Sequence, residues 1–357
     1  VFFRCKKLKE INFDRFISKN KTTIDETEEE LNERKNKKII FNHSIQKVGN
    51  NEFTGYEIRG DLAKSLLLSQ TRIEKLEIVS SNLNYFYFFN TPKLTSIEIP
   101  KNENAKYVKV NGCLYTNDMK KLIVAERNIK SHDVLSTCQI ISNYAFNVKS
   151  LEKVSFDKNS ELKEISFLSF YDSQIKEINL PNSVDLISYG AFYKCQKLES
   201  INIPNLMKSI DFFTFSYTGI TEIFIPKSIV KIQFGSFFCC FNLKSVLFEK
   251  ESNLIEIDDF AFAYTKIESI LIPKSVRRIG SNCFLNCEKM NSIIFEDGSN
   301  IQKIEYTAFR NTQIEYDKIE QNIGFYIIKS KGRYNKVECN TFIRPYFNGI
   351  ISEISIP

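Results

Sequence analysis

The residues of this 357-residue chain best suited to chemistry are its nine cysteines, which could ligate a metal, exchange a disulfide or act as nucleophiles. Their spacing favours none of these roles. No CxxC pair occurs, Cys239 and Cys240 are adjacent rather than ligand-spaced, and the only histidines are His43 and His132. Neither a GxSxG elbow nor a glycine-rich phosphate loop is present, and glycine totals only 12. The expectation is therefore no catalytic residues, no enzymatic activity, no cofactor and no metal. Four cysteines instead share a place: Cys5, Cys195, Cys240 and Cys287 each stand three residues after a phenylalanine. That regularity is structural, and it leads to the elements that produce it.

Eight phenylalanines recur in near-identical settings, at Phe146, Phe170, Phe192, Phe215, Phe237, Phe262, Phe284 and Phe309, spaced by 22–25 residues. Aliphatic residues keep step behind them at Leu151, Ile175, Leu198, Ile220, Leu243, Ile267, Met290 and Ile314. A segment such as LESINIP (198–204) alternates inward Ile201 and Ile203 with polar residues, the period-2 signature of a short half-buried strand. Pro181, Pro204, Pro226 and Pro273 end such strands, because proline cannot donate to a ladder. A turn and a second apolar segment ending at Ile187, Ile232 or Ile279 follow, and the chain returns through a turn carrying the spine phenylalanine. Stacked rungs pair in parallel around the phenylalanine column, and each depends on its neighbours for burial.

The slot three residues after each phenylalanine reads Ser173, Cys195, Thr218, Cys240, Thr265, Cys287 and Thr312. A small, weakly polar side chain there can satisfy buried backbone groups at the turn entering the strand. Because cysteine alternates with threonine, successive ladder thiols lie two rungs, roughly 10 Å, apart, beyond disulfide reach.

The running pattern AFxxCxxLxxIxIPxSVxxIGxxAF resembles the BspA-like leucine-rich repeat family, most closely in SVDLISYGAFYKCQKLESINIP (183–204) and SVRRIGSNCF (275–284). The period falls within the roughly 20–29 residues of leucine-rich repeats. The resemblance is clear over about 132–317 and weaker elsewhere. It implies a β-rich α/β, right-handed solenoid, with a parallel β-sheet on one face and turns with short 3-10 or helical pieces on the other. It also implies surface or exported proteins that adhere to host or matrix components.

Along the chain, 1–13 reads as a partial repeat and 14–60 as a charged irregular insertion, with DETEEELNERKNKK (25–38) as its solvated core. Residues 61–131 read as degenerate repeats carrying a hairpin insertion at about 105–125, around Asn111-Gly112. The regular array spans 132–317, and 318–357 reads as a second hairpin insertion followed by a rung cut at Pro357. The chain opens at Val1 without a basic-then-apolar leader, so both ends read as cut and targeting is not legible. The sequons at Asn20 and Asn42 are glycosylation candidates only if the protein enters a secretory route.

The net charge of +6 is small and dispersed, and only 11 of the 49 basic residues are arginine, so no nucleic-acid partner is expected. No apolar run approaches the roughly 18–20 residues that span a bilayer, so no membrane insertion is expected within this stretch. The informative signal is the one residue per strand that should point outward: Glu98, Ser155, Asn179, Asn202, Phe224, Leu247, Leu271, Ile294 and Ser355. Four consecutive rungs are apolar there, Phe224, Leu247, Leu271 and Ile294, lined by Ser245, Ser269 and Ser292. An apolar stripe of this kind, about 15 Å long, marks either a protein-binding face or a surface covered by another element of the array. The function expected is a non-enzymatic protein-binding scaffold, placed by the resemblance at the cell surface or outside the cell. An intracellular scaffold built on the same solenoid is the alternative.

Overall fold

The structure, a computed structural model, describes residues 106–314 throughout, most of 91–99, and the backbone of short strands further upstream. The partial repeat at 1–13, the insertion at 14–60, Cys5, the sequons at Asn20 and Asn42, and the expected hairpin and cut rung within 318–357 lie outside the described residues, apart from a few strand residues.

Each rung of the regular array contributes two strands to two separate columns. The first column contains Ser131–Val134, Lys153–Phe156, Glu177–Ile178, Ser200–Ile201, Glu222–Ile225, Ser245–Phe248, Ser269–Ile272 and Ser292–Phe295. The second contains Ile140–Ile141, Glu164–Ile165, Leu186–Ile187, Ser209–Ile210, Lys231–Ile232, Glu256–Ile257, Arg278–Ile279 and Lys303–Ile304. Paired strands in both columns run parallel and in register, as in Phe224 opposite Leu247 and Ile257 opposite Ile279. The second apolar segment of each rung is thus a sheet column of its own, and the parallel sheet occupies two faces rather than the expected one. Its inward residue is isoleucine in all eight rungs, from Ile141 to Ile304, and each is buried. Upstream, Tyr56–Ile58, Lys75–Ile78 and Ser96–Glu98 pair in parallel, as do Ser65–Leu67 and Tyr85–Tyr87.

The prolines close the corner between the columns. The carbonyls of Pro181, Pro204, Pro226 and Pro273 each accept the N–H three residues ahead, at 3.1–3.2 Å. A tertiary amide costs nothing there, because the turn uses only its carbonyl.

The third face returns through turns, and no helix occurs among the described residues, so the α/β label and its short 3-10 or helical pieces give way to strands and turns. The backbone explains the difference. In most rungs the residues two before and two after the spine phenylalanine are left-handed: Gly190 and Lys194 around Phe192, Gly235 and Cys239 around Phe237, Asn282 and Asn286 around Phe284. A left-handed residue at every fourth position interrupts any helical run. These turns still bond between rungs, because the N–H of Phe170, Phe192, Phe215, Phe237, Phe262 and Phe284 each donates to the next rung's residue just before its phenylalanine, at 2.8–3.0 Å. All three faces therefore carry inter-rung hydrogen bonds, and the interior is left to side chains.

The phenylalanine column fills that interior. All eight rings are fully buried, and the seven successive pairs stack with centroids 4.9–5.8 Å apart. At its upstream end the column meets His132, whose ring lies 5.8 Å from Phe146 and whose Nε2 hydrogen-bonds the Tyr115 hydroxyl at 2.7 Å. Tyr115 belongs to a meander: Tyr107–Val110 and Cys113–Thr116 pair antiparallel, and Lys121–Ala125 pairs antiparallel with the latter and parallel with Ile140–Ile141. Its tight turn needs Gly112, which sits at φ +78 with the Ile129 side chain 2.7 Å from where a Cβ would stand.

Candidate protein-binding face

Strand alternation positions the outward row. In Glu222–Ile225, Ile223 and Ile225 are buried while Phe224 points out, and Ser269–Ile272 repeats this with Leu271 between Ile270 and Ile272. Phe224, Leu247, Leu271 and Ile294 are 52%, 47%, 48% and 53% exposed, half out of the protein, whereas the inward neighbours of Phe224 and Leu271 are sealed and Phe248, Ile293 and Phe295 are half-buried. Phe224 lies opposite Leu247 and Leu271 opposite Ile294 in register, two pairs on successive two-stranded sheets. Ser269 is exposed beside it, while Ser245 and Ser292 are half-buried. No described segment covers this row.

Charges rim the stripe without crossing it. At the strand ends, the Lys227 N–H donates to Glu249 Oε2 at 2.9 Å and the Lys274 N–H to Glu296 Oε2 at 2.8 Å. At the strand starts stand exposed Lys244 and Glu268. The second column presents a different face. There Arg278 contacts Glu256, Asp258 and Asp259 at 2.7–3.0 Å, and Lys231 contacts Glu256 and Asp258 at 3.0 and 3.3 Å. These partners hold the Arg278 and Lys231 pKa values above their ordinary values, against the opposing effect of partial burial. Cation and carboxylates there satisfy one another, whereas the first column offers bare hydrocarbon.

The ladder residues are interior. Cys195, Cys240 and Cys287 each place Sγ 3.1–3.3 Å from the hydroxyl of the preceding rung, Ser173, Thr218 and Thr265 respectively. The same thiols donate to the carbonyls of Phe170, Phe215 and Phe262 at 3.0–3.2 Å. Thr218 and Thr312 donate to their own rung's Phe215 and Phe309 carbonyls at 2.7 Å. The alternation of thiol and hydroxyl follows, because each thiol reaches back to a hydroxyl and to a spine carbonyl. Burial pushes the Cys195 and Cys240 thiols up to about 12 and that of Cys287 to about 11, which leaves them unreactive at neutral pH. Among the described residues, no group of three or more histidine, cysteine or acidic side chains is placed to hold a metal.

Two features escape a reading of the sequence by period alone. Tyr144, Leu168, Tyr193, Phe213, Phe234, Phe238, Phe260 and Leu285 form a second buried cluster outside the phenylalanine column, on the turn face. Its signal was the aromatic doubling around the spine, as in FTF (213–215) and FAFAY (260–264). The second is Asn202, whose side-chain amide brackets Leu180 of the preceding rung: its Oδ1 accepts the Leu180 N–H at 2.6 Å and its Nδ2 donates to the Leu180 carbonyl at 2.9 Å. A stacked asparagine in an outward slot is the signal for it.

A crystal structure of a leucine-rich repeat protein from Eubacterium ventriosum is similar with a TM-score of 0.56 at 18% identity, covering 76% of this chain and 73% of its own. A leucine-rich repeat protein from T. pallidum scores 0.44 at 18% identity, covering 62% of this chain and 97% of its own. One from Bacteroides ovatus scores 0.40 at 22% identity, covering 57% and 70%. No curated protein matches the sequence significantly. The family model described as "BspA type Leucine rich repeat region" matches residues 118–244 and 208–331 in six copies, more than half of the sequence, and the chain belongs to that family.

Proposed function

We propose that this solenoid is a non-enzymatic protein-binding scaffold which works at a cell surface or outside the cell as an adhesion or host-interaction protein, and that Phe224, Leu247, Leu271 and Ile294 form its recognition face. The observation that carries the reading is the exposed set of four large apolar side chains in consecutive rungs, two in-register pairs on successive parallel strand pairs. Contiguous exposed hydrocarbon on a soluble surface is costly unless something binds it, and polar-rimmed patches of this kind mark interaction sites. Ser245, Ser269 and Ser292 supply hydroxyls beside the row, and the rim lysines and glutamates supply orientation rather than bulk affinity. The binding mode is contact along an extended face, as solenoids provide, rather than closure on a pocket. Membership of the repeat family supports the adhesion setting.

The test is adsorption of the whole chain and of a Leu247→Ser/Leu271→Ser variant to a panel of immobilised extracellular-matrix proteins. The expected result is at least about a tenfold loss of binding with the melting temperature kept, since surface substitutions shift stability by only about 0.5 kcal/mol. Unchanged binding alongside lost stability would show that the row serves the fold.

A further inference from the structure

The upstream end of the interior carries a group that the rest of the array avoids. His132 and Val134 are the two inward side chains of Ser131–Val134. The slot of His132 holds valine or isoleucine in each of the seven rungs that follow, from Val154 to Ile293. His132 is thus a titratable ring in an aliphatic slot, 3% exposed, with no hydrogen-bond partner for Nδ1. Its Nε2 bonds the hydroxyl of Tyr115, which is fully buried and belongs to the meander, so the pair ties the meander to the first strand of the array.

The meander in turn holds the rung upstream. Glu126, the residue after Lys121–Ala125, donates its N–H to the Gly112 carbonyl at 2.8 Å and accepts the Ile97 N–H on Oε1 at 2.7 Å. Arg127 donates its backbone N–H to the Leu94 carbonyl at 2.7 Å and its guanidinium to Thr91 Oγ1 at 3.1 and 3.2 Å. We infer that the meander is an acid-released joint: charging His132 unseats Tyr107–Ala125 from the end of the phenylalanine column and loosens its grip on Thr91, Leu94 and Ile97. A neutral imidazole has one bare nitrogen and one N–H, and a hydroxyl can serve either. The added proton fits at neither nitrogen. On Nε2 it forces the Tyr115 hydrogen away, and on Nδ1 it finds no acceptor.

The surrounding groups do not offset that charge. Burial holds Cys113, Tyr115 and Cys138 above their ordinary values, so all three stay neutral in mild acid. Beyond Cys113 stand Glu126, Arg127 and Lys109, of which Lys109 and Glu126 form an ion pair. On the neighbouring strand Val154 lies opposite and Lys153 is exposed, and Phe146 covers the ring without charge. Asp133 and the Asn111 backbone favour the charged ring, but Asp133 is exposed and already accepts the Ser155 hydroxyl. Burial outweighs both and holds the His132 pKa below its ordinary value. An opened meander, whose His132 titrates near 6.5, takes up a proton that the closed form refuses, so opening is favoured as pH falls. Between about pH 7.5 and pH 5 this linkage raises the open population by up to about 30-fold. Because each rung of a solenoid rests on its neighbours alone, the opening stays local.

The experiment is hydrogen–deuterium exchange of the whole chain at about pH 7.5 and pH 5, read by mass spectrometry and corrected for intrinsic exchange rates. At the lower pH, protection of 107–125 should fall by about threefold to 30-fold, and protection around Leu94 and Ile97 should fall with it. Peptides from 200–290 should keep theirs. In His132→Gln, whose amide can still bond the Tyr115 hydroxyl, the acid-induced loss should vanish. The readout is a ratio between two pH values, so a variant of lower overall stability still reports on the joint, and His132→Phe is a second uncharged replacement. A meander whose protection changes by less than about threefold would overturn the inference. So would a loss spread evenly through 200–290, a loss in the meander that spares Leu94 and Ile97, or a loss that survives both substitutions.

Discussion

The outward slot of the first column divides the array into two halves that share one interior. In the upstream half it holds Asp133, Ser155, Asn179 and Asn202; in the downstream half it holds Phe224, Leu247, Leu271 and Ile294. Two upstream strands also stand apart in length. Glu177–Ile178 and Ser200–Ile201 are two residues long, whereas Ser131–Val134, Lys153–Phe156 and each of the four apolar rungs have a four-residue strand. Asn202 shows why. Its side-chain amide takes the Leu180 N–H and carbonyl that a neighbouring strand would otherwise bond, so a side chain does the work of the ladder and the strand stops early. Ser155 likewise bonds the Asp133 carboxylate across its rung. Three of the four upstream outward side chains, Asp133, Ser155 and Asn202, thus bond within the array. Downstream side chains cannot bond the backbone, and their hydrocarbon is left exposed. The same fold presents a polar outward row in one half and exposed hydrocarbon in the other.

Five substitutions test that contrast, in order of expected effect. Phe192→Ala upstream and Phe237→Ala downstream should each cost about 3–5 kcal/mol in chemical denaturation, because both empty the same stacked interior. A large gap between them would mean that the halves do not share one core. Asn202→Leu should cost about 1–3 kcal/mol by orphaning the Leu180 backbone, even though it lengthens the apolar stripe by one rung; a neutral result would break the account of the short strands. Upstream, acid should act through His132. Burial lowers its pKa below the ordinary 6.5, so it is neutral when folded, and its contribution to stability is present above that value and lost as pH falls through it. Melting temperatures of the native chain should therefore fall between about pH 7 and pH 5 more steeply than those of His132→Gln, and parallel curves would remove His132 from the cap. Phe224→Ala should change stability by no more than about 0.5 kcal/mol, since its ring already faces water; a loss approaching that of Phe237→Ala would show that the stripe is part of the fold.

The sequence made the repeat legible because one large residue per rung, the spine phenylalanine, has no alternative but burial. The outward row was legible for a related reason: with Ile223 and Ile225 inward, Phe224 has to face out. The turn face was not legible. A run such as YGAFYK (189–194) carries no period that separates a helical turn from two left-handed residues, and only Gly190 hints at the latter, while Lys194 gives no sign at all. Nor was the second parallel column distinct from a turn, because a two-residue strand is too short to alternate. The asparagine bracket at Leu180 depends on where an amide points, which stacking decides and spacing does not.

The most direct measurement is hydroxyl-radical footprinting of the whole chain, free and adsorbed to a matrix protein that it binds, read by mass spectrometry at single residues. Leu186, Leu206 and Ile255 are exposed to a similar degree elsewhere and act as internal controls. The account predicts that oxidation of Phe224, Leu247, Leu271 and Ile294 falls together on binding while the controls stay unchanged. Undiminished oxidation of all four stripe residues, with protection at the controls or on the polar face around Asn179, would contradict it.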